Sequence, residues 1–325
     1  MYEQFYGLEK PPFSLTPDPR FLYMTEAHQN ARAGLMYSIL SKKGFTVLTG
    51  DAGTGKTTLL RAVINSFPRD RIYFSFLLNP ALTPDDFFEA TVRDFGLPRG
   101  EGKADRLWSL EDFLLRAQAE GKTSVLFVDE AHRLSIETLE EIRLLSNFET
   151  EREKLLQIVL VGQDELDEIL DRRELRQLKQ RVGVRLHVGP LSMNAVGSYI
   201  AHRWKCVSQA TSPFSEDAIR SVCQFSAGIP RVINSICDNA LLIAYAEGSK
   251  VVTKEHVDEV SRDLRLGRAE VKRQAEKIEI RRVISDDLRV PRPVSRQSEE
   301  HPLPELVRNK PRNAWWPRFV KAAKG

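Results

Sequence analysis

Apolar positions along this chain come in two patterns. Short, nearly uninterrupted runs occur at Phe45–Gly50 (FTVLTG), Ile72–Leu77 (IYFSFL), Ser124–Asp129 (SVLFVD) and Leu156–Gly162 (LQIVLVG). Runs of this length predict strands, and their lack of alternation predicts burial on both faces, as in a parallel sheet covered by helices. Arg185–Leu191 (RLHVGPL) is expected to form a fifth strand. The stretches between carry helix signals. Thr25 is expected to cap a helix reaching about Leu40. Thr83-Pro84-Asp85-Asp86 sets a capping hydroxyl before proline at the first helical position, with acids near the positive helix end. Ser109-Leu110-Glu111-Asp112 reads the same way, and Gly121 suits the end of that helix. This alternation predicts an α/β core over residues 45–190.

After Leu191 the strand pattern stops. Helices are expected at Met193–Ser208, Ser215–Ser226, Pro230–Ala246 and Thr253–Leu264, with Gly228 and Gly248 as stops. They predict a small all-α domain over 191–266. At the other end, residues 1–44 read as an arm and a helix. Pro12, Pro17 and Pro19 argue against helix within residues 1–24, which predicts an extended arm pinned by Phe13 and Phe21. Residues 267–325 read as a basic, Pro-rich, flexible tail, with a polar helical pattern at Ala269–Ile284 and a linker at Arg289–Asn313. No internal repeat is visible.

Composition narrows this picture. With 325 residues, 42% hydrophobic and 29% charged, the chain has an ordinary globular make-up and length for two or three packed units. The densest apolar run, Ala240–Ala246 (ALLIAYA), is far below the roughly 18–20 residues that span a bilayer. No basic stretch followed by an apolar one opens the chain, so a cytoplasmic location is expected, or a peripheral one at the inner face of the membrane. Cys206, Cys223 and Cys237 form no CxxC and read as buried small hydrophobes. The net charge of +3 is unevenly spread: Arg262–Gly325 holds 17 Lys/Arg and 9 Asp/Glu, leaving 31 against 36 elsewhere. An acidic body argues against a broad nucleic-acid surface.

The candidate chemistry begins at Gly50-Asp51-Ala52-Gly53-Thr54-Gly55-Lys56-Thr57, followed by Thr58. It fits the phosphate-binding loop at every fixed position and lies between a strand and a helix. Gly50, Gly53 and Gly55 let backbone amides turn inward, and the helix start aims its positive end at a phosphate. Lys56 would neutralise β/γ oxygens and Thr57 would ligate Mg²⁺. Val125–His132 (VLFVDEAH) ends a buried strand on two carboxylates. Asp129 is placed for the Mg²⁺ shell, and Glu130 to polarise a water toward a γ-phosphate. His132 reads as structural or loop-contacting. Gln163, after the fourth strand, is expected beside Asp129, where it could orient that water. Leu175–Leu186 offers Arg176, Arg181 and Arg185 before the fifth strand, and Arg181 is favoured as a finger reaching a neighbouring subunit. Arg231 at a helix N-terminus opposes the dipole, which calls for an anionic partner such as that γ-phosphate.

Taken together, these segments resemble AAA+ ATPases of the ExeA/GspA secretion type. The resemblance covers about residues 1–266 and rests on FYGLEKPPFSLTPDPRFLY, GDAGTGKTT, LNPALTPDDF, VLFVDEAH, IRLLSNFET, IVLVGQDEL, LRQLKQR and GIPRVIN. It implies a P-loop NTPase fold with a five-stranded parallel sheet in the order 5-1-4-3-2, a helical lid, and ATP held between them. It implies Walker A at Gly50–Thr57, Walker B at Asp129 and Glu130, a sensor at Gln163 and a second sensor at Arg231. Secretion-type members commonly continue into a transmembrane helix and a periplasmic region. This chain ends instead on a basic-aromatic segment, Asn313–Gly325, with Trp315 and Trp316. That segment fits an interfacial membrane anchor, a docking element for protein or nucleic acid, or a solvating tail, the last being favoured. The leading expectation is a Mg²⁺-dependent ATPase, homo-oligomeric, acting with secretion or envelope-assembly proteins. The alternatives are an ATP-dependent DNA-binding regulator similar to transposition helper ATPases, and a nucleotide-bound scaffold without turnover.

Overall fold

Strands β1 (Phe45–Thr49), β2 (Ile72–Leu77), β3 (Thr123–Val128), β4 (Leu156–Val161) and β5 (Val182–His187) form one parallel sheet. Their order is β2-β3-β4-β1-β5, the implied order read from its other edge. The structure is a computed structural model, and it describes residues 1–266 apart from 17, 69, 79–81 and 99. The expectations for the tail, including Trp315 and Trp316, lie outside the described residues.

The helices are α1 (Tyr2–Tyr6), α2 (Glu26–Leu40), α3 (Lys56–Ser66), α4 (Pro84–Asp94), α5 (Lys103–Ala119), α6 (Ile136–Leu145), α7 (Glu165–Leu170) and α8 (Arg176–Arg181). Then come α9 (Met193–Lys205), α10 (Glu216–Ser226), α11 (Pro230–Ala246) and α12 (Lys254–Asp263). The inner strands β1, β3 and β4 are buried almost throughout. Successive side chains of a strand point to opposite faces. Leu126, Val128, Ile158 and Leu160 therefore pack with Phe87, Leu110 and Leu139 of α4, α5 and α6. Val125, Phe127, Val159 and Val161 pack with Leu35, Leu59 and Val63 of α2 and α3 on the other face. These helices make the three layers that the continuous apolar runs require. Thr25 caps α2 through its hydroxyl, and Thr83 caps α4 in the same way, each cap contributing about 1 kcal/mol.

Three expectations are corrected. β5 begins at Val182 rather than Arg185 and ends at His187. It is an edge strand in which Val182, Val184 and Leu186 alternate with exposed Gly183, Arg185 and His187, so it offers no continuous apolar run. Leu191 instead joins the helical core, and its N–H donates to the Gly228 carbonyl at 2.8 Å. Ser109 is no cap: α5 starts after Gly102, and its buried Leu110, Leu114 and Ala117 continue a stripe that includes Leu107. Finally, the arm is not extended throughout. It opens with α1, which ends at left-handed Gly7 before any proline, and makes a single 3₁₀ turn at Pro19–Phe21.

Phe13 and Phe21 are buried as expected, and the face that buries them belongs to the helices after the sheet. Tyr2, Leu8, Phe13 and Phe21 share one core with Val196, Tyr199, Trp204, Ile233 and Ile236. Arg203 of α9 fastens the arm there. Only 7% exposed, it donates to the carbonyls of Pro12 at 2.6 Å and Ser14 at 3.1 Å, and to the Tyr199 hydroxyl at 3.1 Å. Its guanidinium also lies over the Phe21 ring, 4.6 Å from the centroid. A buried charge bonded to main-chain carbonyls leaves several unpaired groups when it is removed. Arg203→Ala is therefore expected to lower stability by at least about 2 kcal/mol and to open residues 1–24 to protease. Denaturant unfolding combined with limited proteolysis reads both, and an unchanged midpoint with an intact arm would contradict this account.

Candidate active site

The C-terminal ends of β1, β4 and β3 lie level with one another, with Leu48 paired to Val161 and Val128 to Leu160. Each of the three strands delivers a candidate residue at this edge: the phosphate loop after β1, Gln163 after β4, and Asp129 with Glu130 after β3. Open parallel sheets place ligands outside this edge.

Within the loop, an added Cβ on Gly50 would fall 2.0 Å from the Val188 carbonyl oxygen, so only glycine lets the loop pass the segment after β5. At Gly53 a Cβ would lie 2.5 Å from the Arg231 Cβ. Here the first turn of α11 touches the loop, and the Arg231 N–H donates to the Gly53 carbonyl at 3.2 Å. The Lys56 ammonium donates to the carbonyls of Gly50 at 2.7 Å and Asp51 at 2.8 Å. Burial pushes the Lys56 ammonium pKa down, while the charges of Glu130, Asp129, Asp164 and Asp51 pull it back up.

Thr57 donates its hydroxyl to Asp129 Oδ2 at 2.8 Å, and Asp129 Oδ1 accepts the Glu130 N–H at 2.9 Å. Burial raises the Asp129 carboxyl above the usual aspartate range, and these two bonds oppose the shift. Glu130 sits at φ 55°, a left-handed conformation that costs a non-glycine residue roughly 1–2 kcal/mol. Strain of this kind is often retained at functional sites. The Glu130 side chain is 42% exposed, unlike that of Asp129 beneath it.

The structure joins Glu130 to Gln163 through His132. Its Nδ1 accepts the Gln163 backbone N–H at 3.2 Å, and its Nε2 lies 3.2 Å from the Gln163 side-chain amide and 3.5 Å from Glu130 Oε2. On the opposite side His28 of α2, buried at 3% exposure, braces the loop. Its Nε2 meets the Thr54 carbonyl at 3.2 Å and its Nδ1 meets the Thr25 hydroxyl at 2.7 Å. Burial lowers the His28 pKa, and the Thr54 carbonyl opposes that shift. Sequence reasoning missed His28, because nothing in TEAHQN separates a buried brace from a surface histidine.

A cleft of about 460 Å³ opens over these residues. Its walls are the arm around Ser14–Tyr23, the loop from Ala52 to Thr58, Glu130 and Gln163, and Tyr199, Arg203, Pro230, Arg231 and Asn234 from the helical part. The structure brings Lys56, Thr57, Asp129, Glu130, Gln163 and Arg231 together around this cleft. It does not gather Arg181. That guanidinium donates to the Arg143 carbonyl at 3.1 Å, to Asn147 Oδ1 at 2.7 Å and to the Ser146 hydroxyl, tying down the end of α6. Arg185 pairs with Asp167 at 2.5 Å. Arg176 is exposed and makes no ion pair among the described residues.

The residues present fit a nucleotide and its cation. The glycine loop leaves a cradle that side chains would fill. Thr57 and Asp129 offer a hydroxyl and a carboxylate, hard oxygen donors of the kind Mg²⁺ takes alongside phosphate oxygens. A divalent cation beside Asp129 would favour its ionised form against burial.

Sheet order, phosphate loop and paired carboxylates give an AAA+ fold, and a model of the AAA domain matches residues 16–170, just under half of the chain. More particularly, the chain is similar to General secretion pathway protein A of Aeromonas hydrophila, with 43% identity over 251 residues. The match takes in 77% of this chain and 46% of that one, so the chain spans about half the length of this curated relative. Among solved structures it resembles Drosophila ORC bound to DNA, with TM-score 0.63, 21% identity, and 82% of this chain on 67% of that one. It also resembles Cdc6p from Pyrobaculum aerophilum, with TM-score 0.60, 18% identity, and 79% on 71%. A third likeness is the Aeropyrum pernix ORC2 protein in ADPNP-ADP complexes, with TM-score 0.59, 18% identity, and 79% on 72%. At these identities the likeness is one of fold. Among the described residues no helix is long and apolar enough to cross a membrane.

Proposed function

We propose that this chain is a Mg²⁺-dependent ATPase that works as an oligomeric switch in assembling secretion or cell-envelope machinery, in the cytoplasm or peripherally at the inner face of the membrane. The observation that carries the reading is the junction of Thr57, Asp129, Glu130 and Gln163 at three adjoining strand ends. When bound, ATP with Mg²⁺ supplies the phosphoanhydride to be cleaved. Lys56 would balance phosphate charge, while Thr57 and Asp129 would hold the cation. Glu130, half-exposed on a strained backbone, takes a proton from a water that Gln163 helps to orient. Arg231 senses phosphate from the lid, 191–266, and its contact with Gly53 ties the lid to the core, 45–190. The likeness to General secretion pathway protein A supports the secretion setting. A DNA-dependent regulator is the second reading, favoured by the fold shared with DNA-bound ORC; DNA binding that falls with salt and depends on ATP would select it.

For the oligomer, Arg181 remains the proposed finger, although in this chain it braces α6. Arg181→Ala is expected to lose most ATPase activity, and mixing it with Lys56→Ala should restore part, because each variant supplies what the other lacks. Fingers contribute roughly 10³–10⁵ in rate, so even partial rescue is measurable. An absence of rescue at every ratio, from well-folded variants, would remove Arg181 as a residue acting between subunits.

A further inference from the structure

His132 has a determinate proton position, and that position orients Gln163. The backbone N–H of Gln163 points at His132 Nδ1 from 3.2 Å, and a main-chain N–H can only donate. Nδ1 therefore carries the lone pair, and the ring proton sits on Nε2. The Gln163 side-chain atom assigned as the amide nitrogen stands 3.2 Å from that same Nε2, and Glu130 Oε2 stands 3.5 Å from it. If the end facing the ring were the NH₂ group, two donors would confront each other. The opposite tautomer removes that clash only by setting Nδ1–H against the backbone N–H. The backbone cannot turn, whereas a side-chain amide can, and its two ends are distinguished only by their hydrogen bonds. Exchanging the two ends of the amide, so that its oxygen faces the ring, removes the clash and lets Gln163 share the Nε2–H with Glu130 Oε2. His132 is well placed to enforce this, since its side chain is 14% exposed and its 3₁₀ turn, Ala131–Arg133, follows directly on Glu130.

We propose that His132 is a positioning residue for Gln163: its Nε2–H holds the amide oxygen, so that both amide N–H donors face the cleft and read a terminal phosphate. The inference rests on the nucleotide-site reading above. Without the imidazole, Gln163 presents oxygen or NH₂ with little preference, and an oxygen turned toward phosphate is repelled. His132 would thus set discrimination between nucleoside triphosphate and diphosphate, apart from any step of hydrolysis.

Equilibrium binding of ADPNP and of ADP, each with Mg²⁺, to the full chain tests this. Wild type is compared with His132→Ala, His132→Asn, His132→Gln and Gln163→Ala. Glutamine keeps a donor near the Nε2 position, while asparagine keeps only an acceptor near Nδ1. Wild type and His132→Gln are expected to prefer ADPNP. His132→Ala, His132→Asn and Gln163→Ala should lose that preference by roughly tenfold, with ADP affinity held within about twofold. Rescue by asparagine and not by glutamine would mean that the ring only braces the backbone, and would overturn the proposal. So would a wild-type preference in His132→Ala beside a lost preference in Gln163→Ala. Failure of wild type to bind either nucleotide would overturn the site reading itself, and this proposal with it.

Discussion

Lys56→Ala is expected to abolish nucleotide binding, lowering affinity for ATP by at least roughly a hundredfold. Lys56 is 7% exposed and already desolvated, so its charge contributes far more here than a surface lysine's would. It is also pre-positioned by the Gly50 and Asp51 carbonyls, which fix it against the loop before any ligand arrives. Alanine removes the cation and leaves those carbonyls to find other donors. Lys56→Met keeps the length of the side chain without its charge, so the two variants separate charge from packing. Calorimetric titration, with thermal unfolding as a control for the fold, gives the answer. Unaltered affinity in both variants would sink the phosphate-loop assignment.

Glu130→Gln is the second large effect, and it should split binding from turnover. The amide is nearly isosteric and leaves the backbone at φ 55° as it was, so nucleotide should bind as before. What it removes is the carboxylate proposed to take a proton, an effect expected to be roughly 10²–10⁴ in rate. Asp129 cannot substitute. Its two oxygens are engaged by the Thr57 hydroxyl and the Glu130 N–H, and it lies 4% exposed beneath the surface of the cleft. Phosphate release at saturating ATP, set beside a binding isotherm, measures both halves. Normal turnover would remove Glu130 as the base.

The parts readable from sequence were those whose cause is local. β1, β3 and β4 are covered on both faces, so each writes itself as an apolar run, and the candidate phosphate loop is eight consecutive residues whose spacing is its chemistry. β5 misled because one face of an edge strand meets solvent, which spreads its apolar residues to every second position. Ser109 misled because a good cap residue is also an acceptable helix interior, and the stripe from Leu107 to Ala117 settles the matter only once the partner layer is known. The roles of His28, His132 and Arg203 depend on contacts 26, 31 and 191 residues away, which no local pattern records. His132 shows the limit most clearly. Its sequence context suggests a structural or loop-contacting histidine, whereas the partner of its Nδ1 is a backbone N–H 31 residues away.

The fastening of the arm by Arg203 also orders events during synthesis. Phe13 and Phe21 leave the ribosome well before the residues that bury them, because Arg203 follows Pro12 by 191 residues and the entire sheet lies between. At about 5–20 residues per second that interval is roughly 10–40 s. Through it the sheet can close on its own helices while the aromatic arm waits in water, an early-made segment that folds late. A pause in translation before α9 would prolong the exposure of the arm's rings.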